Sequence, residues 1–194
     1  MSTLLEKQNK LQKEALELVN KIGLREILEP YGQFELTGST DYGLMTWKDI
    51  DANLLTAKTP TDEDYWSIVN KLFTLKGTKL LLLADNRDQS TEANRPKSMY
   101  VGIKYLSDGN EWRFDVRLLA RKDVTTDEVK ELIHENIDES TRQTILEIKS
   151  QIHNDPRYHK DFSSVDIYEA VLLHNVKNLS EFQNYLLKTK NVRA

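Results

Sequence analysis

The stretch LTGSTDYGLMTWKDID, residues 36–51, decides how the chain is read. It carries Gly38-Ser39, then nine residues, then Asp49-Ile50-Asp51. Residues 33–37 ahead of it read as a short strand. Gly38-Ser39 therefore falls at a strand end, where a turn or helix start offers backbone N–H groups and a hydroxyl to a phosphate. Residues 49–55 read as a second strand, with Ile50, Ala52 and Leu54 on one face. Side chains two apart on a strand leave from the same side, so Asp49 and Asp51 point together, away from the core. Two carboxylates this close each raise the cost of ionising the other. A divalent cation removes that cost, and Mg²⁺, which takes carboxylate, phosphate and water oxygens, suits the pattern.

A third carboxylate follows from register. Ser107-Asp108-Gly109-Asn110 is a hairpin turn between strands at 99–106 and 111–120. Pairing Leu106 with Glu111 sets Lys104 opposite Arg113 and Gly102 opposite Asp115. Trp112, Phe114, Val116 and Leu118 then form an apolar face, and Arg113, Asp115 and Arg117 a polar one. Asp115 has a neighbour without a side chain and cations on its own face. That leaves room for a phosphate-bearing ligand beside a carboxylate able to bind metal or accept a proton. A one-residue slip would invert every assignment.

The rest of the chain supplies helices. Leu4, Leu11, Ala15, Leu18 and Val19 recur at helical spacing within residues 3–21, and Gly23 stops that helix. Thr59-Pro60-Thr61-Asp62 starts another, expected to reach Leu75 and to bury Trp66, Val69, Leu72 and Phe73. Residues 79–84 read as a strand. Residues 86–98 are polar and loop-like; Arg87, Arg95 and Lys97 there could close over a substrate. After Thr125 the pattern is helical throughout, with Pro156 as a break and Ser163-Ser164 and Ser180 as caps. The fold class read from this is α+β, with a mixed, mainly antiparallel sheet and flanking helices over 1–122. An all-helical C-terminal region follows over 123–194.

Gly38-Ser39, the interval of nine, Asp49-Ile50-Asp51 and the later apolar-Asp115-apolar triplet resemble the nucleotidyltransferase superfamily, of polymerase-beta-like fold. The run Gly38-Ser39-Thr40-x-x-Gly43-Leu44 is similar to the GrpB-like branch. The helical last third is similar to small-molecule adenylyltransferases of the aminoglycoside- and lincosamide-resistance type. The resemblance covers about residues 33–120. It implies that Gly38 and Ser39 contact the β- and γ-phosphates of an NTP and that Asp49 and Asp51 hold Mg²⁺. Asp115 would bind a second Mg²⁺ or act as general base on an acceptor hydroxyl. Two departures stand out: no second acidic residue sits beside Asp115, and the interval before Asp49 fits only a short helix.

Each candidate also has a plainer reading. The Asp49/Asp51 pair could be a solvated strand face, Gly38-Ser39 a simple turn, and Asp115 an ion-pair partner of Arg113 or Arg117. Lys48, Lys104, Arg113 and Arg117 could neutralise phosphate or serve as surface charge; Lys48, Lys104 and Arg117 join Gly38 and Ser39 as candidate nucleotide-binding residues. His134, His153, His159 and His174 all fall in the helical third, without a metal-site pattern. Trp47 and Trp66 read as core.

Composition narrows the classes. The 194 residues are 39% apolar and 30% charged, which excludes a disordered chain. There are no cysteines, which excludes disulfides, zinc–thiolate sites, iron–sulfur clusters and thiol nucleophiles. Lys and Arg total 27 against 31 for Asp and Glu, a net charge of −4 that weighs against a nucleic-acid partner. The first twenty residues are too charged for a secretory signal, and the apolar run Leu80–Ala84 is far too short for a membrane span. The expectation is a cytoplasmic, Mg-dependent enzyme, with one or two ions. It would move a nucleoside monophosphate from an NTP, ATP being expected, to a small-molecule acceptor. The alternative is a non-catalytic binding or regulatory module acting through the helical C-terminal region. A third reading is a nucleic-acid-directed transferase. A homodimer through the helical stripes is a further expectation.

Overall fold

The chain forms five strands, β1 (Gln33–Thr37), β2 (Asp49–Thr56), β3 (Thr78–Asp85), β4 (Met99–Ser107) and β5 (Asn110–Ala120), β3 as a continuous apolar run over Leu80–Ala84. The computed structural model describes residues 3–87, 97–123 and 127–192. The strands form one sheet in the order β1-β2-β5-β4-β3. β1–β2, β3–β4 and β4–β5 pair antiparallel, and β2–β5 pair parallel. This is the expected mixed, mainly antiparallel sheet.

The β4–β5 hairpin turns on Asp108 and Gly109, with φ of 50° and 77°. Two consecutive positive φ values match the twist of the flanking strands and fix the register. Leu106 pairs with Glu111, Lys104 with Arg113 and Gly102 with Asp115, as the turn residues predict.

One face of the sheet is roofed by helices. α1 (Leu4–Lys21), α2 (Leu24–Leu28) and α4 (Asp62–Phe73) supply apolar stripes, and α3 (Gly38–Tyr42) is a single short turn between β1 and β2. Phe34, Ile50, Ala52, Leu54, Val101, Ile103, Phe114, Val116 and Leu118 meet Ala15, Leu18, Leu24, Leu28, Ile68 and Leu72 in one core. Thr61 caps α4 by accepting a hydrogen bond from the Asp64 N–H at 3.2 Å. α4 buries Tyr65, Ile68, Val69 and Leu72, a stripe at i, i+3, i+4 and i+7. Trp66 and Phe73 were expected in that core but are 57% and 66% exposed. Each sits one residue beyond a stripe position, about 100° further round the helix, so hydrophobicity yields to phase.

The helical region comprises α5 (Asp127–Asn136), α6 (Glu139–Ile152), α7 (Ser164–Leu172) and α8 (Leu179–Lys190). α6 opens on an Asp138–Thr141 capping box and α7 on a Ser163–Asp166 one. α8 is capped by Asn178, which accepts from the Glu181 N–H at 3.0 Å, so Ser180 falls inside the helix rather than at its cap. Ile145, Ile148, Ile152, Ile167, Val171 and Phe182 are buried there. The chain divides into two compact units, Lys10–Thr125 and Met1–Asn9 with Thr126–Ala194. Among the described residues no helix is long and apolar enough to cross a membrane.

Candidate active site

The sheet face opposite α2 and α4 carries the candidate residues. β2 and β5 run in parallel register there, with Asp49 beside Arg113, Asp51 beside Asp115 and Asn53 beside Arg117. Asp51 and Asp115 are 64 positions apart in sequence yet direct neighbours across one strand pair. Two carboxylates set side by side each raise the cost of ionising the other.

Gly38 sits against Asp51. Its φ is 62°, and a Cβ placed on it would lie 2.3 Å from Asp51 Oδ2. Only glycine fits both the left-handed conformation and that approach. Gly38 begins α3, and Gly43, at φ 66°, ends it with its N–H bonded to the Ser39 carbonyl. Side chains help fasten this turn: Gln12 Nε2 donates to the Thr40 carbonyl at 2.7 Å, and secondly Thr40 Oγ1 donates to the Asp49 carbonyl at 3.3 Å. The second ties the Gly-Ser turn directly to the start of β2. Ser39 is half-buried in it.

Asp49 is set apart from the Asp51–Asp115 pair by its neighbours. Its Oδ2 accepts from Trp47 Nε1 at 3.4 Å, and it lies across from Arg113. Among the described residues, no three His, Asp or Glu side chains are gathered into a group that could hold a cation as they stand. The structure brings together Gly38, Asp51 and Asp115, with Asp49 one step along the same face.

The space beside Asp115 is filled. Gly102 does lie opposite it, but the Tyr100 side chain lies across Gly102, where an added Cβ would come within 2.4 Å of the phenol oxygen. Tyr100 Oη donates to Asp115 Oδ1 at 2.5 Å. The expected vacancy is thus a phenol–carboxylate contact. Burial raises the Tyr100 hydroxyl well above the usual tyrosine range, and the bond to Asp115 and its charge add to this; Arg117 and Arg113 oppose it. The phenol is therefore a donor at any ordinary pH. A sequence signal for this contact exists. Tyr100 pairs with Arg117, so Asp115 is its diagonal neighbour, within reach of an aromatic side chain.

The candidate cations are less converged. Arg117 is half-buried, its guanidinium 5.8 Å from the Tyr100 ring centre. Lys104 is exposed, 3.6 Å from Glu111. Lys48 Nζ donates to Asn110 Oδ1 and lies 5.7 Å from the Trp112 ring centre. Arg87, read as a substrate-closing residue, is instead a staple. It bonds Asp85 at 2.6 Å, Asp62 at 2.5 Å and the Pro60 carbonyl at 3.0 Å, joining the end of β3 to the start of α4. Arg95 lies outside the described residues. Of the histidines, His153 and His174 meet the Ser150 carbonyl and the Tyr185 ring, and His159 packs on Tyr158.

No family model matches the chain, and no curated protein matches it. Solved structures do. A structure of the Cid1 poly(U) polymerase with Mg and 3′-dATP bound is similar with a TM-score of 0.60 at 16% identity, over 88% of this chain and 54% of that one. The non-canonical poly(A) polymerase complex GLD-2–GLD-3 is similar with a TM-score of 0.55 at 16% identity, over 92% and 61%. CdnC of E. coli MS115-1, with ATP, is similar with a TM-score of 0.53 at 17% identity, over 94% and 67%. The chain spans less than two thirds of the length of the two polymerases. Its fold is that of the polymerase-beta-like nucleotidyltransferases.

Proposed function

We propose that this chain transfers a nucleoside monophosphate from an NTP, with ATP as donor, to an acceptor hydroxyl. The observation that carries the reading is the Asp51–Asp115 pair, set side by side against the Gly38 turn. A donor set of hard carboxylate oxygens, held together against their mutual repulsion, fits Mg²⁺. Asp51 and Asp115 would hold it, two carboxylates being enough for an ion that keeps phosphate and water as its other ligands, and Asp49 would add its charge from the same face. Bound there, Mg²⁺ supplies positive charge to the phosphate oxygens and to the oxygens exchanged in an in-line displacement. Gly38 and Ser39 bind terminal phosphate oxygens through backbone N–H and hydroxyl. Lys104, Arg117 and Lys48 offset phosphate charge. The acceptor hydroxyl gives up its proton to solvent, its oxygen attacks the α-phosphorus, and the bond to the bridging oxygen breaks to release pyrophosphate.

The net charge of −4 favours a small-molecule acceptor. A second reading, transfer to the end of a nucleic acid, is favoured by the fold shared with poly(U) and poly(A) polymerases. Calorimetry with ATP and Mg²⁺, on wild type and on Asp49→Ala/Asp51→Ala, tests the site. Mg-dependent binding lost in the double variant is expected; no binding by wild type, or equal binding by both, overturns the reading. Incubation with α-labelled ATP, with and without RNA oligonucleotides, then separates the acceptors. Label on RNA replaces the small-molecule reading. ATP binding without turnover on any acceptor favours a non-catalytic module.

A further inference from the structure

The phenol of Tyr100 donates a hydrogen bond to Asp115 Oδ1 at 2.5 Å, and three features hold it there. The Tyr100 backbone carbonyl accepts from Tyr65 Oη at 2.7 Å, which pins the strand at this residue to α4. The Arg117 guanidinium lies 5.8 Å from the Tyr100 ring centre. Gly102 provides the flat floor on which the ring lies, since any side chain there would displace the hydroxyl.

We propose that Tyr100 is a positioning residue for Asp115, fixing one carboxylate oxygen so that the other is presented toward Asp51. The proposal rests on the reading of Asp51 and Asp115 as a cation site. The sheet order supplies the geometry: β5 lies between β4, which carries Tyr100, and β2, which carries Asp51. A bond to Oδ1 from the β4 side leaves Oδ2 for the β2 side. The terminal torsion of an aspartate is broad and weakly held, so an unanchored Asp115 would sample orientations that a cation could not use. A hydrogen bond that orients a metal-binding group is worth about 10–100-fold in affinity when removed.

The alternative is that the phenol merely relieves the repulsion between two carboxylates. That role would show in stability and leave cation affinity unmoved. The test is Mn²⁺ binding to the full chain without nucleotide, followed by electron paramagnetic resonance, alongside thermal unfolding. Asp115→Asn serves as control. Tyr100→Phe keeps the ring and removes only the donor; it is expected to weaken Mn²⁺ binding about tenfold with the unfolding midpoint kept. Gly102→Ala keeps the phenol but pushes it off Asp115, and should weaken binding to a similar degree. The double variant should bind no worse than either single one, because both remove the same contact. In turnover, Tyr100→Phe should lower kcat with little change in the KM for ATP. Mn²⁺ binding by Tyr100→Phe within twofold of wild type, or tighter, overturns the proposal, as does additivity in the double variant. Equal Mn²⁺ binding by wild type and Asp115→Asn overturns the cation site itself and the proposal with it. Loss in Asp115→Asn beside an unaffected Tyr100→Phe overturns the tyrosine's role alone.

Discussion

The two faces of the sheet are built from the same strands, yet at the start of β2 and the middle of β5 they hold opposite kinds of residue. On the helix-covered face, Ile50, Leu54, Val101, Phe114, Val116 and Leu118 are each at most 1% exposed and belong to the apolar core. On the other face, Asp49, Asp51, Arg113, Asp115 and Arg117 stand in two parallel rows, with Tyr100 and Lys104 beside them. One face gains stability from burial. The other spends some of it on like charges held side by side. A strand's period of two lets one chain serve both ends without compromise between them, because adjacent residues never share a face.

Substitutions on the two faces should therefore separate stability from chemistry. The largest effect is expected on the helix-covered side: Phe114→Ala should lose up to about 5 kcal/mol in urea unfolding, through a cavity the rigid sheet cannot close. On the opposite face, Asp51→Asn should reduce kcat for nucleotidyl transfer by on the order of 10³-fold, about 4 kcal/mol of barrier. Its unfolding midpoint should stay level or rise, since the repulsion with Asp115 is removed. A matching loss of stability would erase the contrast between the faces. Gly38→Ala should mix the two effects. A methyl at φ 62°, 2.3 Å from Asp51 Oδ2, costs roughly 1–3 kcal/mol of stability and displaces the carboxylate needed for activity.

The smallest effect concerns pH. The Arg87 hydrogen bond holds the Asp85 carboxyl below its ordinary value. A carboxylate depressed in the folded state stabilises it at neutral pH, and that contribution is lost as pH falls through the folded-state value. Thermal melts between pH 7 and pH 3 should show a shallower acid decline for Asp85→Asn than for wild type. Because Asp85 is half-exposed, the difference should be small. An unchanged acid limb would remove the Asp85–Arg87 bond as a source of acid sensitivity.

Much of this contrast is legible in the sequence. Alternation around Ile50 and Phe114 separates core from polar face, and the Asp108-Gly109 turn sets the β4–β5 register to the residue. The resemblance at Gly38-Ser39 and Asp49-Ile50-Asp51 anticipates the fold. The errors are equally specific. Trp66 and Phe73 are apolar but out of phase with the buried stripe of α4. The space opposite Asp115 is taken by a ring from two residues earlier in β4. Arg87 looks like a loop cation and is held by Asp62, far away in sequence, as well as by Asp85.

What the sequence determines by itself is local: which residues alternate, where a turn with two positive φ values fits, which side chains leave a strand together. Those follow from backbone geometry over a few residues. What only the tertiary structure decides is the parallel pairing of β2 with β5, which sets Asp51 beside Asp115, and the lie of Tyr100 across Gly102. Strand pairing over 64 positions depends on how whole elements pack, and a side chain's course over a neighbour depends on the space that packing leaves.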